Sequence, residues 1–562
     1  MKYLNIGISQ INPTVGNFEL NFNKILNFWE ELDPQAEIVV FPELAICGYP
    51  PEDLLTRWDF INECMTWSKR LVEYSKKFSS AIVFGTPYFK SKLFNALVVA
   101  YKGEVKGLYF KKFLPNYSVF DEKRYFSPGD SPLLVQINDT NIGFSVCEDI
   151  WHPDGWETRY ASSGAEVLIS INASPYHIGK FEFKKNFLKA RAQDNICYLV
   201  YVNCCGAQDE LVFDGRSMVI SPEGKVIAQL KAFEEDKQVV SIDVEKVSKK
   251  RLFDLRLYEK PMQIFPQASF EVDQKDRVSE YNADNLISDE AEVYKAIVTA
   301  VKDYVEKNGF KSVLIGLSGG IDSSLTACIA VDALGASKVM GVFMPSRFTS
   351  KESKEDVEAL VKSLGIVLYT YPIDDMFNAY ENLLSQNKFD IADENLQARI
   401  RANILFYLSN RLEALVLSTS NKSETAVGYT TIYGDMAGGF APLKDVYKTE
   451  VYKLAKYRNS ISPVIPDRVF KKPPTAELRE NQTDQDTLPP YSLLDEILIK
   501  YIEEGFSKSE LLELGYEKDI IEKVLKMIKR AEFKRKQAPL GPKLHLRAFG
   551  KDWRMPVTNH YF

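Results

Sequence analysis

Short apolar runs of strand length recur through the first half of the chain. They lie at Tyr3–Ile8, Ile38–Phe41, Ala81–Gly85, Ala96–Ala100, Ile142–Val146, Val167–Ile171 and Tyr198–Val202. Amphipathic stretches with helical spacing separate several of them, at Asn21–Leu32 and Asn62–Lys77. Turns at Tyr101–Gly107 and Ser221–Lys225 predict paired strands, so this half is predicted to be a layered α/β domain with two β-sheets in its core.

The pattern changes after about Lys231, and charged residues without clean periodicity predict a connector as far as Asp289. Beyond it, helices and strands alternate in an order that predicts a parallel, doubly wound sheet. The predicted helices are Asp289–Asn308, Ser323–Leu334 and Glu355–Leu364, and the predicted strands are Ser312–Leu317, Val339–Phe343, Ile366–Tyr371 and Leu415–Ser418. Lys471–Tyr491 is predicted to be a loop, and Gln537–Phe562 is basic and irregular.

Length and charge narrow the classes of protein. A chain of 562 residues is too long for one hydrophobic core and predicts two domains. The formal net charge of −7 argues against a nucleic-acid or acidic-membrane binder, so we expect neither as a partner. A local phosphate site built from backbone N–H groups is still compatible with that charge.

The cysteine and histidine counts argue against a disulfide or zinc framework. Seven irregularly spaced cysteines, an odd number, accompany only four histidines and form no CxxC pair. The N-terminal stretch is interrupted by Asn5 and Gln10, which is typical of a first strand and not of a signal peptide. No uninterrupted apolar window approaches about 18 residues, so no membrane span is expected. A reducing cytoplasm is the simplest location.

A glycine-rich turn joins a predicted strand to a predicted helix in the second half. Its sequence is Gly316-Leu317-Ser318-Gly319-Gly320-Ile321-Asp322-Ser323. The two adjacent glycines permit a close backbone approach, and the helix N-terminus behind them favours phosphate or pyrophosphate. The Walker pattern is absent, because no lysine follows the glycines. Two adjacent glycines alone are more often a plain turn, but the longer string in this context is far more specific.

This string resembles the signature of the ATP-pyrophosphatase family, which cleaves ATP between its α and β phosphates. The resemblance implies that residues 316–323 bind ATP, and that Asp322 helps to hold Mg²⁺ with the nucleotide. Phosphate oxygens and one or two carboxylates are a usual Mg²⁺ shell. The family carries out several reactions, so the motif indicates the activation chemistry and not the acceptor.

Further strings follow in order and together resemble the NAD synthetase family from about Asp289 to the C-terminus. They are Glu394–Arg401, Ser418–Glu424, Tyr433–Met436, Lys472–Leu478, Asp484–Tyr491, Lys534–Gln537 and Phe549-Gly550. One local departure is Trp553-Arg554-Met555-Pro556, where the family usually has a basic residue and tyrosine before the proline.

That resemblance assigns roles to single residues in the second half. Thr419 is expected to contact ATP, and Asn395, Glu424 and Lys534 are expected to contact deamido-NAD, with Glu424 also near the metal. Each has a simpler interpretation. Asn395 could cap a helix, Glu424 could be a solvated helix charge, and Lys534 lies in a basic run of the kind that is usually surface.

A candidate nucleophile, Cys147, ends an apolar strand in the first half. The common activating base is histidine, but neither His152 nor His177 is suitably arranged, and a carboxylate with an amine can do the same work. Phe41-Pro42-Glu43-Leu44 and Lys111-Lys112-Phe113-Leu114 complete a resemblance to the nitrilase (carbon–nitrogen hydrolase) family, over about residues 1–265.

The nitrilase resemblance implies an αββα sandwich and a catalytic set of Glu43, Lys111 and Cys147. Glu43 is expected to be the general base, Lys111 to stabilise the oxyanion and Cys147 to form the thioester. Lys112 is a rival for the lysine role, although Lys111 fits the family spacing to Leu114.

The resemblance also extends to the branch of the nitrilase family that uses glutamine. It places Tyr117, Ser174 and Lys180 at the glutamine and makes Glu122 an auxiliary carboxylate.

The two resemblances together imply a nitrilase-like glutaminase domain over 1–265, a connector over 266–288 and a synthetase domain over 289–562. The first domain would supply ammonia from glutamine, and the second would adenylate deamido-NAD with Mg²⁺ and ATP and form NAD, AMP, diphosphate and glutamate. Nitrilase-like domains usually associate, which implies a homo-oligomer.

Three alternatives remain open at this point. One is an amidotransferase with a different acceptor acid, and another is a non-catalytic sensor that binds ATP. The third is a free-standing amidase with a regulatory ATP domain.

Overall fold

A computed structural model describes residues 2–257, 264–278, 287–384 and 389–561 of the chain. The chain divides into two compact units. The first comprises the residues up to Gln208 and 212–286, and the second comprises 209–211 and 287–562.

The first unit is built on two large sheets and a short two-stranded ribbon. Its strands are β1 Tyr3–Gln10, β2 Ile38–Val40, β3 Ala81–Lys90, β4 Lys92–Tyr101, β5 Glu104–Phe110, β6 Leu134–Ile137, β7 Thr140–Val146, β8 Val167–Asn172, β9 Tyr198–Asn203, β10 Cys205–Gln208, β11 Leu211–Asp214, β12 Met218–Ile220, β13 Val226–Gln229, β14 Asp236–Asp243 and β15 Ala268–Phe270. Its helices are α1 Phe18–Leu32, α2 Trp58–Tyr74, α3 Glu148–Trp151, α4 Glu157–Ser162, α5 Lys180–Asn195 and α6 Glu245–Phe253. The sheet orders are β14-β1-β2-β3-β4-β5 and β13-β12-β9-β8-β7-β6-β15.

The alternation of side chains along the strands explains the layers. In β2, Ile38 and Val40 face the core shared with Phe144 and Val146 of the other sheet. Val39, between them, faces a second core that contains Trp29 and other residues of α1 and α2. Successive side chains of a strand point to opposite faces, so one sheet is covered by helices outside and by the second sheet inside. The predicted αββα sandwich is confirmed.

Two details of the predicted first half are wrong. The predicted connector from about Lys231 contains β14, which pairs with β1 along Asp236–Asp243, and also α6 and β15. β14 lies at a sheet edge, where polar residues are tolerated and hide the strand periodicity. The predicted turn Tyr101–Gly107 is also too long, because β5 already begins at Glu104.

The second unit contains a four-stranded, all-parallel sheet surrounded by helices. Its strands are β16 Ser312–Leu317, β17 Val339–Phe343, β18 Val367–Thr370 and β19 Ala414–Leu417. Its helices are α7 Asp289–Lys307, α8 Ile321–Leu334, α9 Lys351–Leu364, α10 Asp374–Leu384, α11 Ile391–Leu412, α12 Lys422–Val427, α13 Lys448–Ile461, α14 Asp467–Lys471, α15 Tyr491–Leu498, α16 Lys508–Glu513, α17 Lys518–Arg530 and α18 Glu532–Arg535.

The strand order of this sheet is β18-β17-β16-β19, and each neighbouring pair is parallel. The order proceeds outward from β16 in one direction through β17 and β18, and in the other direction to β19. A crevice therefore opens at the carboxyl ends of β16 and β19, where ligands bind in doubly wound folds. The predicted doubly wound sheet is confirmed, and the predicted glycine-rich segment spans the end of β16, a turn at residues 318–320 and the start of α8.

A C-terminal segment, residues 541–549, is attached to the second unit by buried charges. Asp445 accepts hydrogen bonds from the backbone N–H groups of Leu544 and His545 at 2.7 and 2.8 Å. The His545 ring lies 2.8 Å from the Asp445 carbonyl oxygen through Nδ1 and 3.1 Å from Glu450 Oε1 through Nε2. Both ring nitrogens face acceptors, an arrangement that favours the doubly protonated ring.

Among the described residues, none of the helices combines the length and the apolar character that crossing a bilayer requires.

The His545 contacts predict a pH-dependent attachment of the 541–549 segment. Burial and Lys422 oppose the charge, but hydrogen bonds to Asp445 and Glu450 outweigh them and raise the pKa of His545 to about 9. Because this pKa lies above the ordinary value of 6.5, the stabilisation is complete below pH 6.5 and is lost as the pH rises through about 9. It amounts to up to about 3 kcal/mol.

We expect His545→Gln to lower the hydrogen-exchange protection of the Leu544 amide at pH 6 and to change it little near pH 10. The exposed His560→Gln is the matched control and should leave protection unchanged at both pH values. Equal protection in His545→Gln and the unaltered chain at pH 6 would contradict the expectation.

Candidate active sites

Glu43 is placed in the interior of the first unit by the loop that follows β2. Directly after the end of β2, the Phe41 N–H donates a hydrogen bond to the Val83 carbonyl oxygen of β3 at 2.8 Å, so the pairing of these two strands continues by one residue. Gly85 of β3 makes room for the next residues, because a Cβ there would lie 2.3 Å from Leu44 N. Glu43 is fully buried, and its carboxylate accepts hydrogen bonds from Asn95 Nδ2 at 2.7 Å and from the Ala173 N–H at 2.9 Å.

Lys111 lies between two carboxylates. It follows β5, and its Nζ donates to Glu43 Oε1 and to Glu122 Oε1, both at 2.8 Å. Burial alone would lower the pKa of Lys111, but the charges of Glu122 and Glu43 outweigh it and raise that pKa. Burial also raises the pKa of Glu122, to about 7. The neighbouring lysine, Lys112, instead reaches the Asp154 carbonyl oxygen at 2.7 Å.

Cys147 occupies a sharp turn between β7 and the short helix α3. Its N–H continues the strand pairing to the Ile171 carbonyl oxygen at 2.9 Å, and its own φ of 47° lies in the left-handed region. Such strained positions concentrate at functional sites. Burial, Glu43 and Glu122 raise the pKa of the thiol against the opposing charge of Lys111. The resting side chain is therefore a thiol whose proton needs a nearby base.

Asp149 is a residue that the sequence interpretation did not single out. Its carboxylate accepts hydrogen bonds from the N–H groups of Lys112 and Phe113 at 3.0 and 2.8 Å. It also accepts from the Val146 N–H at 3.0 Å and the Tyr109 hydroxyl at 2.7 Å. Asp149 thus ties the turn that carries Cys147 to the strand end that carries Lys111. The sequence signal that could have identified Asp149 is its position two residues after the candidate nucleophile Cys147.

The three predicted glutamine contacts lie in two groups next to this site. The Tyr117 hydroxyl donates to both carboxylate oxygens of Glu148, at 3.1 and 2.9 Å, and Glu148 adjoins Cys147 in the chain. Lys180 Nζ donates to Ser174 Oγ at 2.8 Å, and Ser174 follows the residue whose N–H reaches Glu43.

The glycine turn of the second unit is closed by its own hydroxyl groups. Gly319 has a φ of +79°, and a Cβ there would lie 2.7 Å from the Ser353 carbonyl oxygen. Ser323 Oγ accepts a hydrogen bond from the Ser318 N–H at 3.3 Å and donates to the Gly320 carbonyl oxygen at 3.1 Å. Gly320 caps α8, so the turn presents backbone N–H groups at a helix N-terminus, which suits phosphate.

One cavity of about 410 Å³ contains every residue that the sequence predicted for ATP and deamido-NAD. Its lining includes Gly316, Leu317, Ser318, Gly319, Gly320, Ile321, Asp322, Ser323, Asn395, Thr419, Glu424 and Lys534. The cavity lies at the crevice beyond β16 and β19, as the strand order requires.

The surroundings of Asn395, Glu424 and Lys534 do not fit the simpler interpretations of these residues. Asn395 lies inside α11, whose cap is Asp390, so it is not a helix cap. Glu424 is largely buried, with a side chain 17% exposed. Lys534 Nζ donates to the carbonyl oxygens of Gly428 and Thr430 at 2.8 and 2.7 Å, so it is directed inward and is not a solvated surface charge.

A lysine bridges the two predicted metal ligands. Lys448 Nζ donates to Asp322 Oδ2 at 2.5 Å and to Glu424 Oε1 at 3.2 Å. Burial raises the pKa of Glu424 to about 8, with Lys448 opposing and Asp322, Asp484 and Asp435 adding to the rise. Against the effect of burial, three of these carboxyl groups, Asp322, Glu424 and Asp484, also raise the pKa of the Lys448 ammonium.

The surplus of negative charge fits a divalent cation. Within the described ranges no group of three His, Cys, Asp or Glu side chains is arranged to hold a metal by itself. Asp322 and Glu424 are hard oxygen donors that both reach one cationic group. Two carboxylates completed by phosphate oxygens are the usual way in which Mg²⁺ is held with a nucleotide.

Sequence interpretation did not assign Lys448 or Arg401, although both line the cavity. Burial lowers the pKa of Arg401 to about 10, and its Nε donates to the Met344 carbonyl oxygen at 3.0 Å. Arg401 ends one of the ordered strings and could have been considered. Lys448 stands outside those strings, and only its folded contacts reveal it.

The sequence matches two families. Residues 5–251 match the carbon-nitrogen hydrolase family, and residues 293–538 match the NAD synthase family. The glutamine-dependent NAD(+) synthetase of Aquifex aeolicus is 55% identical over 566 residues, 100% of each chain, and that of Thermotoga maritima is 44% identical over 100% of this chain and 99% of the relative.

Solved structures agree. The glutamine-dependent NAD+ synthetase of Acinetobacter baumannii, solved in complex with adenosine diphosphate, is 36% identical with a TM-score of 0.75, covering 99% of both chains. That of Cytophaga hutchinsonii, at 22% identity and a TM-score of 0.82 over 99% of this chain and 98% of that one, has the same fold.

Fold and site therefore define a two-unit enzyme, in which a carbon-nitrogen hydrolase unit with a buried thiol is followed by an NAD synthase unit with a cavity at the glycine turn. The chain belongs to the glutamine-dependent NAD(+) synthetase family, a family of ligases.

The charges around Cys147 predict how its reactivity responds to substitution. Glu122 raises the pKa of the thiol, so Glu122→Gln should lower that pKa and speed alkylation of Cys147 by iodoacetamide at pH 8, by roughly three- to tenfold. The label is read by peptide mass. Asp121→Asn, one residue away, is the control and should leave the rate unchanged. Slower alkylation in folded Glu122→Gln would contradict the expected charge effect.

The conformation of Gly319 predicts a strong effect on nucleotide binding. Gly319→Ala places a Cβ against Ser353 and a side chain at positive φ, which costs about 1–2 kcal/mol before any clash. We expect the affinity for Mg·ATP, measured by calorimetry, to fall by about tenfold or more. Gly309→Ala, also at positive φ but with no atom within 4 Å of the added Cβ, is the control for backbone strain. Unchanged affinity in Gly319→Ala would show that nucleotide binds elsewhere.

Proposed function

We propose that the chain hydrolyses glutamine in its first unit and uses the ammonia to amidate deamido-NAD in its second, consuming ATP and forming NAD, AMP, diphosphate and glutamate. The observation that carries this proposal is the presence in one chain of the Glu43–Lys111–Cys147 arrangement and of the cavity around the glycine turn. A sensor that only binds ATP has no use for a buried thiol surrounded by ionised groups.

In the first unit, Glu43 takes the proton of Cys147 while the sulfur attacks the side-chain amide carbon of glutamine. The raised pKa of the resting thiol makes this proton transfer necessary. The Lys111 ammonium, kept charged by Glu43 and Glu122, stabilises the developing oxyanion. Glu43 gives the proton to the departing nitrogen as the C–N bond breaks, and ammonia leaves. The regenerated Glu43 carboxylate then takes a proton from the water that hydrolyses the thioester to glutamate and restores the thiol.

Glutamine itself is held by the polar groups beside the thiol. Lys180 is suited to the α-carboxylate, while Tyr117 and Ser174 supply hydroxyl groups at the two sides of the site.

In the second unit, the nicotinate carboxylate of deamido-NAD attacks the α-phosphorus of ATP and diphosphate leaves. A free carboxylate is a poor electrophile, and the mixed anhydride is a good one. Ammonia then attacks its carbonyl carbon and AMP leaves. The glycine turn and Thr419 hold the nucleotide, and Asn395, Glu424 and Lys534 contact deamido-NAD.

Asp322 and Glu424 would hold Mg²⁺ with the ATP phosphates. When bound, the cation neutralises charge on the departing diphosphate. With its two carboxylate partners engaged in this way, the Lys448 ammonium would be available to contact phosphate oxygens.

We further propose a homo-oligomer working in the cytoplasm, because nitrilase-like units usually associate and every substrate is a soluble metabolite.

The deciding experiment supplies the purified chain with Mg·ATP, deamido-NAD and glutamine labelled with ¹⁵N in its side-chain amide. Labelled NAD and equimolar AMP are expected, as read by mass spectrometry. Cys147→Ala should lose glutamine-driven synthesis, by at least about 10³-fold because the nucleophile is removed. It should keep synthesis driven by ammonium chloride.

Each other outcome identifies an alternative. Glutamate formed without NAD would favour a different acceptor acid, to be found with a panel of carboxylates. Glutamate formed without AMP for every acid of that panel would indicate an amidase with a regulatory ATP domain. Binding of ATP without turnover of glutamine would leave only the sensor.

A further inference from the structure

A buried ion pair in the first unit takes no part in the proposed chemistry. Lys184 Nζ donates to the two carboxylate oxygens of Asp214 at 3.0 and 2.9 Å, and the two side chains are only 1% and 4% exposed. Replacing such a pair by apolar residues of similar volume is often neutral or stabilising. Stability is therefore a weak reason for two charges in the interior, and the contacts of the pair suggest another.

On one side, Asp214 is connected to Ser174 through Asn203. Asp214 Oδ1 accepts a hydrogen bond from Asn203 Nδ2 at 3.3 Å. Asn203 Oδ1 in turn accepts the backbone N–H of Ser174 at 2.9 Å, and Asn203 Nδ2 also lies 3.3 Å from the Ser174 carbonyl oxygen. The side-chain amide of Asn203 therefore holds the backbone of Ser174 at both its donor and its acceptor.

On the other side, Asp214 is connected to Lys180 through α5. Lys180 and Lys184 are four residues apart on this helix, so their side chains leave the same face. Lys180 Nζ donates to Ser174 Oγ at 2.8 Å and to the Pro175 carbonyl oxygen at 2.5 Å. The contacts form a closed ring that runs from Ser174 through Asn203, Asp214, Lys184 and Lys180 back to Ser174.

We propose that Asp214 is a positioning residue that sets the separation of Ser174 and Lys180, and thereby the length of the amide substrate that the thiol site accepts. This inference rests on the proposed assignment of Ser174 and Lys180 to glutamine. Loss of the Asp214 carboxylate leaves Lys184 buried without its partner and frees Asn203 from one of its anchors. The helix then shifts relative to the Ser174 backbone.

The same movement also affects Glu43, the proposed general base, through the residue that precedes Ser174. The Ala173 N–H donates to Glu43 Oε2 at 2.9 Å, and Ala173 directly precedes Ser174. Synthesis driven by ammonium chloride uses only the cavity of the second unit and needs no glutamine, so it should not respond to a change in the ring.

The test compares Asp214→Ala and Asp214→Asn in the full chain. Glutamate release is measured with glutamine and with asparagine, which is one methylene shorter, and NAD formation is measured with ammonium chloride. Asp214→Ala should raise the KM for glutamine by about tenfold, as expected for loss of one buried charged contact. It should also lower the ratio of kcat/KM for glutamine over that for asparagine.

Asp214→Asn keeps an acceptor for Asn203 and Lys184, so both effects should be smaller. If Asp214→Ala does not fold, Asp214→Asn tests the inference in its place. Ammonium-driven synthesis should be unchanged in both variants. Lys185→Met is the matched control, because it removes the partner of the exposed Glu182 one residue from Lys184 and should alter none of these values.

An unchanged KM and an unchanged glutamine-to-asparagine ratio in the folded variants would overturn the inference. So would an equal fall in ammonium-driven synthesis, since that reports a general loss of folding. Failure of the unsubstituted chain to hydrolyse glutamine would refute the proposed function, and the inference with it.

Discussion

The Lys111 ammonium, fully buried between Glu43 and Glu122, is the interaction on which the first unit depends. A charge in the interior is tolerated only when it is paired and its partners are themselves hydrogen-bonded. Asn95 and the Ala173 N–H satisfy Glu43, and the Tyr49 hydroxyl donates to Glu122 at 3.0 Å. Both sheets must therefore bring their strand ends to this point, and Cys147 is held there by the same packing.

The second unit places an ammonium between carboxylates as well, but in a different setting. Lys448 joins Asp322 and Glu424 at the wall of a cavity and not in a closed core. The pKa of Glu424 is raised by burial and by its acidic neighbours, so the cluster as a whole attracts further positive charge. The carboxylates around Lys111 are closed off from solvent, which suits a reaction in which water attacks only after the thioester has formed. The carboxylates around Lys448 lie at the wall of an open cavity, which suits a charged ligand that binds and dissociates together with its cation.

Several elements could be predicted because their periodicity is strong. β16 and β17 have the predicted bounds, and α7 and α9 begin within a few residues of expectation, since each has a clear apolar face or a serine cap. β14 was missed because the edge of a sheet permits Asp236, Lys237 and Gln238 at its start. Lys448 was missed because a single lysine has no local signature, and Asp149 was missed because its position two residues after Cys147 does not show which groups it contacts. Their importance comes from partners far away in the chain.

The sequence by itself determined the class of each half, because a strand-end thiol with its glutamate and lysine, and a glycine turn between strand and helix, are local patterns tied to specific chemistry. It also indicated the set of residues that later proved to share one cavity. Only the tertiary structure decided which lysine lies between the carboxylates, which acid ties the Cys147 turn to Lys111, and that Asp214 connects Asn203 to Lys184. These are decisions about buried charge, and the free energy of a buried charge depends on partners that the fold brings together from distant parts of the chain.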